Sequence, residues 1–243
     1  MIQSMTQPDN PFAGLRVAIT GGTSGLGLAL VHHLVNHGAR VALVARHREG
    51  VERVSRAQPG AYGIVGDVSE KQQIHPMAMQ IVAALGGLDL LINNASDLGP
   101  TPLALLADTE CEDLERALAT NLLGPFRLTK ALLGSLAASA RDGRPATVVN
   151  ISSDAAITPY PHWGAYGASK AALHHMSRIW DEELTSIGIR VLSIDPGDMD
   201  TPLHTAAVPG ADRSSLKDPA SAAHEVAGII AAALSPRTET VRC

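Results

Sequence analysis

The sequence predicts a doubly wound α/β domain, a parallel sheet between two helical layers, three layers in one domain. Three observations predict it. Short apolar runs alternate with segments of helical periodicity from residue 15 to residue 234. The strand-like runs are continuously apolar, as in a sheet covered on both faces. No repeat, low-complexity tract or linker divides the 243 residues, a length that suits one sizeable α/β domain.

The elements follow in order. Residues 1–13 are polar, carry Pro8 and Pro11, and read as a loose lead-in to the domain over 14–243. Residues 15–20 (LRVAIT) form a first strand; 26–37 have apolar residues at helical spacing and stop at Gly38. Residues 40–45 (RVALVA) form a second strand, and 47–57 are polar and helical. A third strand at 62–65 leads into Asp67-Val68, and Ser69 with Gln72 has the form of a capping box opening a helix towards Leu85. Residues 88–93 (LDLLIN) are a fourth strand. Thr109 with Glu112 forms a second such box, starting a long helical region that contains Asn121 and breaks near Gly124-Pro125. A fifth strand lies at 146–151, a helix at 163–187 ending at Gly188, and a sixth strand at 189–194, stopped by Pro196-Gly197. Residues 198–219, rich in Pro, Asp and small side chains, read as a surface segment; a helix over 220–234 and a last strand at 239–242 close the chain.

Composition excludes several classes. The formal net charge is −5 and no long basic run is present, so nucleic acid is not an expected partner. The start of the chain lacks a basic segment followed by an apolar core, and the late apolar run at 227–234 is too short to cross a bilayer. Cys111 and Cys243 lie far apart and form no metal spacing, which fits a reducing compartment. The expectation is a cytoplasmic protein without a membrane partner.

Chemistry concentrates in 150–170, NISSDAAITPYPHWGAYGASK. A spacing of four puts Lys170 one helical turn beyond Tyr166 on the same face. An ammonium beside a phenol favours the phenolate, and a lowering by roughly two to three pH units would let Tyr166 exchange a proton near neutrality. Ser153, on the turn before that helix, can hydrogen-bond the same substrate oxygen. YxxxK alone is a weak pattern that most often marks an ordinary helix face, so the reading depends on the rest of the chain.

The first strand runs into Thr20-Gly21-Gly22-Thr23-Ser24-Gly25-Leu26-Gly27. Glycines there allow a tight turn and close approach of a phosphate, and the helix opening near Ser24–Leu26 aims free N–H groups at it. The tip of the second strand carries Ala45 and Arg46 rather than an acidic residue, so a 2′-phosphate is accommodated, which favours NADP(H) over NAD(H). Asp67, after the third strand, either hydrogen-bonds an adenine edge or caps the following helix.

These residues resemble the short-chain dehydrogenase/reductase family in its compact single-domain branch, over about residues 14–234. The likeness rests on Thr20-Gly21-x-x-x-Gly25-x-Gly27, Asp67-Val68, Asn93-Asn94-Ala95, Asn121, Ser153, Tyr166-Gly167-Ala168-Ser169-Lys170 and Pro196-Gly197. It implies a Rossmann-type dinucleotide-binding catalytic domain, with Tyr166 as acid in reduction and base in oxidation and Lys170 on the nicotinamide ribose. It implies further that Ser153 orients the substrate oxygen, and that Asn121 holds a water linking Lys170 to solvent unless its amide serves a helix break. Asn93, Asn94 and Ala95 would line the cofactor and Thr201 would contact the carboxamide. A homodimer or homotetramer is implied, with the helices after Thr109 and around Tyr166 as interfaces. Chains of this kind usually continue Asn-Asn-Ala with glycine; Ser96 departs from that and leaves the path of the next loop open.

The expected activity is hydride transfer between NADP(H) and a carbonyl or secondary alcohol. A 3-oxoacyl-thioester (acyl-carrier) reductase is the alternative within that class. A non-catalytic dinucleotide sensor would have little use for an intact Ser, Tyr, Lys and Asn. An epimerase or dehydratase would need a larger part after Gly197. Substrate contacts are expected from Ser96, Asp154, His162, Trp163 and Asp198, with His162 and Trp163 open to a plain packing or capping role. Asp198-Met199-Asp200 with His204 lacks a metal-ligand motif and reads as a lid with solvated acids, over about residues 198–219.

Overall fold

The computed structural model describes residues 10–234. Fourteen regular elements alternate along the chain: β1 (Arg16–Thr20), α1 (Gly25–Asn36), β2 (Arg40–Ala45), α2 (Arg48–Ala57), β3 (Ala61–Val65), α3 (Ile74–Leu85), β4 (Leu90–Asn93), α4 (Cys111–Leu118), α5 (Gly124–Arg141), β5 (Thr147–Ile151), α6 (Gly164–Leu184), β6 (Arg190–Ile194), α7 (Pro202–Ala207) and α8 (Pro219–Leu234). The six strands are parallel, in the order β3-β2-β1-β4-β5-β6. This is the doubly wound Rossmann-type architecture, three layers thick. The order reverses between β1 and β4, and a crevice opens there at the carboxyl ends of the strands.

The core forms two slabs, one on each face of the sheet. Leu26, Leu30 and Leu34 of α1 pack with Val51 and Val54 of α2 and with Val226 and Ile230 of α8 on one face. Met77 and Ile81 of α3, Leu128 and Leu132 of α5 and Trp180 of α6 fill the other. Alternate residues of each strand feed opposite slabs: Val17 and Ile19 of β1 face one, Ala18 the other. The continuously apolar strands are therefore buried on both sides.

Several boundaries differ from the sequence reading, each for a physical reason. Neither capping box forms. The Asp67 carboxylate, two residues upstream, takes both the N–H and the hydroxyl of Ser69, at 2.9 and 2.7 Å. Thr109 turns its hydroxyl back to the Leu105 carbonyl, and α4 begins after Glu110 without a side-chain cap. The long helical region is three pieces, α4, a π segment Ala119–Leu123, and α5, so the break precedes Gly124-Pro125 and falls on Asn121.

At the end of the lead-in, Phe12 is buried and Asn10 donates to the His37 carbonyl. Residues 198–219 contain α7 and are fastened by a bridge between Met199 and Lys217 and by the Asp200–Arg213 ion pair. The last strand expected at 239–242 lies outside the described residues.

Candidate active site

The turn after β1 is shaped by contacts only glycine allows. Gly21 has a φ of +70°, and a Cβ there would meet the Asn94 side chain at 2.9 Å. A Cβ on Gly27 would strike the Gly21 carbonyl and the Asn94 amide. Asn94 fastens this turn, donating through Nδ2 to the Thr20 carbonyl at 2.9 Å. Thr20 returns the favour: its Oγ1 accepts from the backbone N–H groups of Asn94 and Ala95, both at 3.0 Å. The ends of β1 and β4 are thus tied at the switch point. Ser24 precedes α1 in extended conformation and makes no side-chain cap, so the first turn of the helix faces the crevice with its own N–H groups.

A cavity of about 540 Å³ runs from this turn along the strand ends. One end is lined by Gly21, Thr23, Ser24, Gly25, Leu26 and Gly27, with Arg46, Asp67 and Val68 beside them. Asn94, Ala95, Pro196, Gly197 and Thr201 lie along its course, and Ser153, Tyr166 and Lys170 close the other end with Ser96, Asp154, Trp163 and Asp198. Three expected site residues stay outside it. Asn93, expected to line the cofactor, is buried, its Nδ2 donating to Thr129 Oγ1 at 3.2 Å and Asn150 Oδ1 at 2.8 Å. Asn121 is fully buried behind the wall. His162, at a φ of +71°, is exposed and borders a separate shallow apolar groove, so it is a turn residue here.

Trp163 packs edge-on against the Tyr166 ring with centroids 5.6 Å apart, and is both cavity wall and the residue preceding α6. Asp67 accepts the N–H and hydroxyl of Ser69 in the turn after β3, caps neither the 3-10 turn at Lys71 nor α3, and borders the cavity. Thr201 begins α7, accepting from the His204 N–H at 3.2 Å.

Lys170 is buried in α6 and donates to the Ile151 carbonyl at 2.8 Å, with Nζ 5.5 Å from the Tyr166 ring centre. Burial pushes its ammonium down to about 8. The Tyr166 phenol, also buried, is pushed up to about 12 by burial, with hydrogen bonds from Ser153 and Ser96 working the other way. The expected lowering of Tyr166 is therefore not what the structure produces. Burial disfavours the phenolate, the Asp195 and Asp154 carboxylates add to that, and the Lys170 ammonium is directed to the Ile151 carbonyl.

Ser153 donates to Asp154 Oδ1 at 3.0 Å and accepts from the Ala155 N–H at 3.2 Å; the other carboxylate oxygen accepts from the Tyr160 hydroxyl at 2.7 Å. Asn121 has no free amide capacity. Its Oδ1 accepts from Asp97 N at 2.8 Å and Ser96 Oγ at 3.2 Å, and its Nδ2 donates to the Asp97 carbonyl at 2.7 Å and Ser169 Oγ at 2.8 Å. The side chain satisfies the helix break; a water held here would have to use backbone groups.

The sequence reading gave no site role to Ser152, Tyr160 or Asp195, counted Thr20 only as part of the glycine-turn motif, and set His204 aside in the segment after β6. Ser152 Oγ and His204 Nδ1 are buried polar atoms without a partner, on residues that border the cavity. A ligand with polar edges fits such a site, and the glycine cradle fits a phosphate. Among the described residues no group of His, Cys, Asp and Glu is placed to hold a metal ion, and no helix is long and apolar enough to cross a membrane.

The switch-point crevice, with its glycine cradle at one end and a Ser-Tyr-Lys group at the other, defines a dinucleotide-binding α/β oxidoreductase. The family model for short chain dehydrogenase matches residues 16–211, and the chain belongs to that family. It is 31% identical over 198 residues to glucose 1-dehydrogenase of Gluconobacter oxydans, covering 79% of this chain and 72% of that protein. It is 33% identical over 195 residues to 3-dehydrosphinganine reductase TSC10B of Arabidopsis thaliana, covering 79% of this chain but 57% of that one. Among solved structures, 3-ketoacyl-(acyl-carrier-protein) reductase from Brucella melitensis, complexed with NADH, superposes with a TM-score of 0.84 at 25% identity, over 95% of this chain and 94% of that chain.

Proposed function

We propose that this chain is an NADP(H)-dependent reductase that interconverts a carbonyl and a secondary alcohol, with Tyr166 as its acid and base. The observation that carries this reading is convergence: Tyr166, Ser153 and Lys170 border one end of the cavity whose other end is the glycine cradle. The nicotinamide, when bound, supplies or takes up the hydride. Gly21, Gly25, Gly27 and the first turn of α1 hold the pyrophosphate; Arg46, exposed at the tip of β2, meets the 2′-phosphate.

Tyr166 gives its proton to the substrate oxygen as negative charge develops there. Ser153 turns its hydroxyl from Asp154 to that same oxygen, a rotation about one bond. A phenol pushed up to about 12 is protonated at neutral pH, the form that gives a proton to the substrate oxygen in reduction.

Likeness to a ketoacyl reductase favours a second reading, reduction of a 3-oxoacyl thioester. Against it, Asp154, Asp195 and Asp198 give the cavity a negative border that repels an acidic carrier. The test is a panel of simple ketones, aldoses and acyl thioesters, read by nicotinamide absorbance with NADPH and NADH in parallel. Tyr166→Phe then lowers turnover by roughly 10²–10⁴-fold with cofactor binding intact. Near wild-type turnover in that variant would remove Tyr166 from the mechanism.

Homo-oligomerisation belongs to the same reading. Leu105 and Leu106 before α4, Ile157 after β5, and Ile179 on α6 are exposed apolar side chains near the proposed interface helices. Light scattering during gel filtration checks it, and a monomer at micromolar concentration would exclude it.

A further inference from the structure

The hydroxyl that must serve the substrate oxygen is already engaged at rest. Ser153 Oγ accepts the Ala155 N–H at 3.2 Å and gives its one proton to Asp154 Oδ1 at 3.0 Å. The second carboxylate oxygen, Oδ2, accepts from the Tyr160 hydroxyl at 2.7 Å, so the carboxylate is braced from both sides on the border of the cavity. The bonds from Tyr160 and Ser153 hold the Asp154 carboxyl below its ordinary value, and it is ionised at neutral pH. When Ser153 turns to the substrate oxygen, Oδ1 loses its donor while Oδ2 keeps Tyr160. An ionised carboxylate oxygen is a strong acceptor and takes up whatever donor lies next to Ser153.

We propose that Asp154 is a specificity residue and that the substrate is an α-hydroxy ketone or aldehyde, interconverted with a vicinal diol, whose neighbouring hydroxyl donates to Asp154 Oδ1. The proposal rests on the reading of Ser153 and Tyr166 as the pair that engages the reacting oxygen. Gauche oxygens on adjacent carbons stand about a hydrogen-bond length apart, roughly 2.8 Å. Ser153 Oγ and Asp154 Oδ1 are separated by nearly the same distance, 3.0 Å. The two pairs therefore match, Ser153 on the reacting oxygen and Oδ1 on the hydroxyl beside it. In reduction the carbonyl carbon takes up the hydride and its oxygen takes the Tyr166 proton. The neighbouring hydroxyl keeps its own proton and only hydrogen-bonds. Asp154 is exposed, so a simple ketone leaves Oδ1 to water and gains less when Ser153 turns away. An anionic group in place of that hydroxyl meets the Asp154 charge and is disfavoured.

The test compares racemic acetoin with 3-methoxy-2-butanone, which keeps the electron-withdrawing oxygen and lacks its proton. Wild type is expected to favour acetoin in kcat/KM. In Asp154→Ala the ratio of the two values should fall roughly 10- to 100-fold, the range for a hydrogen bond to a charged group. If alanine does not fold, Asp154→Asn carries the test, with a fall of about threefold or more as the acceptor loses its charge. Equal losses for both ketones give Asp154 a structural role only and overturn the proposal, as does a wild type that reduces both equally well. Binding is read without turnover by titrating the same ketones into Tyr166→Phe loaded with reduced nicotinamide, whose fluorescence reports the complex. Acetoin is expected to bind the tighter of the two, and to lose that advantage when Asp154→Ala is added; equal binding in Tyr166→Phe overturns the proposal. Failure of the Tyr166 reading shows separately, as turnover surviving in Tyr166→Phe.

Discussion

Lys170 Nζ is fastened to the Ile151 carbonyl at 2.8 Å, so the cation of the proposed catalytic pair is held by the last residue of β5. Burial alone moves it from 10.5 to about 8. Below about pH 8 the folded protein keeps a buried charge that the unfolded chain hydrates freely. Between the two values the folded form releases its proton first, the unfolded state binds more protons, and stability rises with pH. The full relief is on the order of 3 kcal/mol. Lys170→Met removes this term and is expected to be more stable near neutral pH by roughly 1–2 kcal/mol, after the orphaned Ile151 carbonyl is counted. Denaturant unfolding at about pH 7 and about pH 9.5 reads it: the advantage of the variant shrinks at the higher pH. An advantage that does not change with pH would show Lys170 to be unperturbed. Tyr166 acts oppositely and later, since its folded value of about 12 exceeds the unfolded 10 and stability falls above pH 10.

Arg46→Asp tests cofactor choice. Arg46 is exposed at the cavity border, and its neighbour Arg48 is the one near Glu52, at 3.9 Å. Exchanging a guanidinium for a carboxylate replaces a charge-assisted bond to a 2′-phosphate with repulsion. The KM for NADPH should rise roughly 10- to 100-fold while that for NADH holds or falls. A wild-type protein that prefers NADH would overturn the role given to Arg46.

The alternation of buried strands and helices, the glycine turn and the grouping of Ser153, Tyr166 and Lys170 were legible in the sequence because each depends on local pattern. Apolar runs declare buried strands, glycine declares a positive φ, and a spacing of four declares one helix face. What was not legible depends on partners distant in sequence. The boxes at Ser69 and Thr109 have the right letters, but Asp67 and the Leu105 carbonyl outcompete them. The π segment has no residue signature of its own; Asn121 is held there by Asp97 and by Ser169, which lies 48 positions away. The Tyr166 phenol was expected low and stands high because of burial, which is absent from any one-dimensional spacing, with hydrogen bonds from Ser153 and Ser96 only partly offsetting it. Thr20 looked like the last residue of a strand, and its work on Asn94 and Ala95 appears only once β1 and β4 are adjacent.

That work gives a third test. Thr20→Val keeps the shape and deletes the acceptor shared by two backbone N–H groups, on a residue 2% exposed. Two unpaired donors at a largely buried site cost roughly 2–4 kcal/mol. The loop beside the glycine turn also loses its anchor, so NADPH affinity should fall along with stability. Thr20→Ser keeps the oxygen and should recover most of both. Unfolding curves and fluorescence titration of NADPH separate the two effects. A valine variant with wild-type stability would mean that the two N–H groups find other partners.

Asp89, just ahead of β4, is fully buried and receives Arg16 and Arg144 together. Arg16 donates through its backbone N, Nε and Nη2, and Arg144 through Nε and Nη2. Burial opposes the charge of Asp89, but the bonds from Arg144 and Arg16 prevail and hold its carboxyl far below 3.8. A depressed folded value means that the unfolded chain takes up the proton first as pH falls. The stability this group contributes is therefore present above about pH 4 and drains away below it. Asp89→Asn leaves two guanidinium groups at the sheet's amino-terminal edge without their counter-ion, at a cost of roughly 3–5 kcal/mol. The site residues lie at the opposite ends of the strands, so folded Asp89→Asn should keep its KM for NADPH. Comparing unfolding of the two proteins from neutral pH down to about pH 3 checks both parts. The wild type should lose its advantage over the variant as the medium acidifies, and a difference independent of pH would mean that geometry rather than charge is what Asp89 provides.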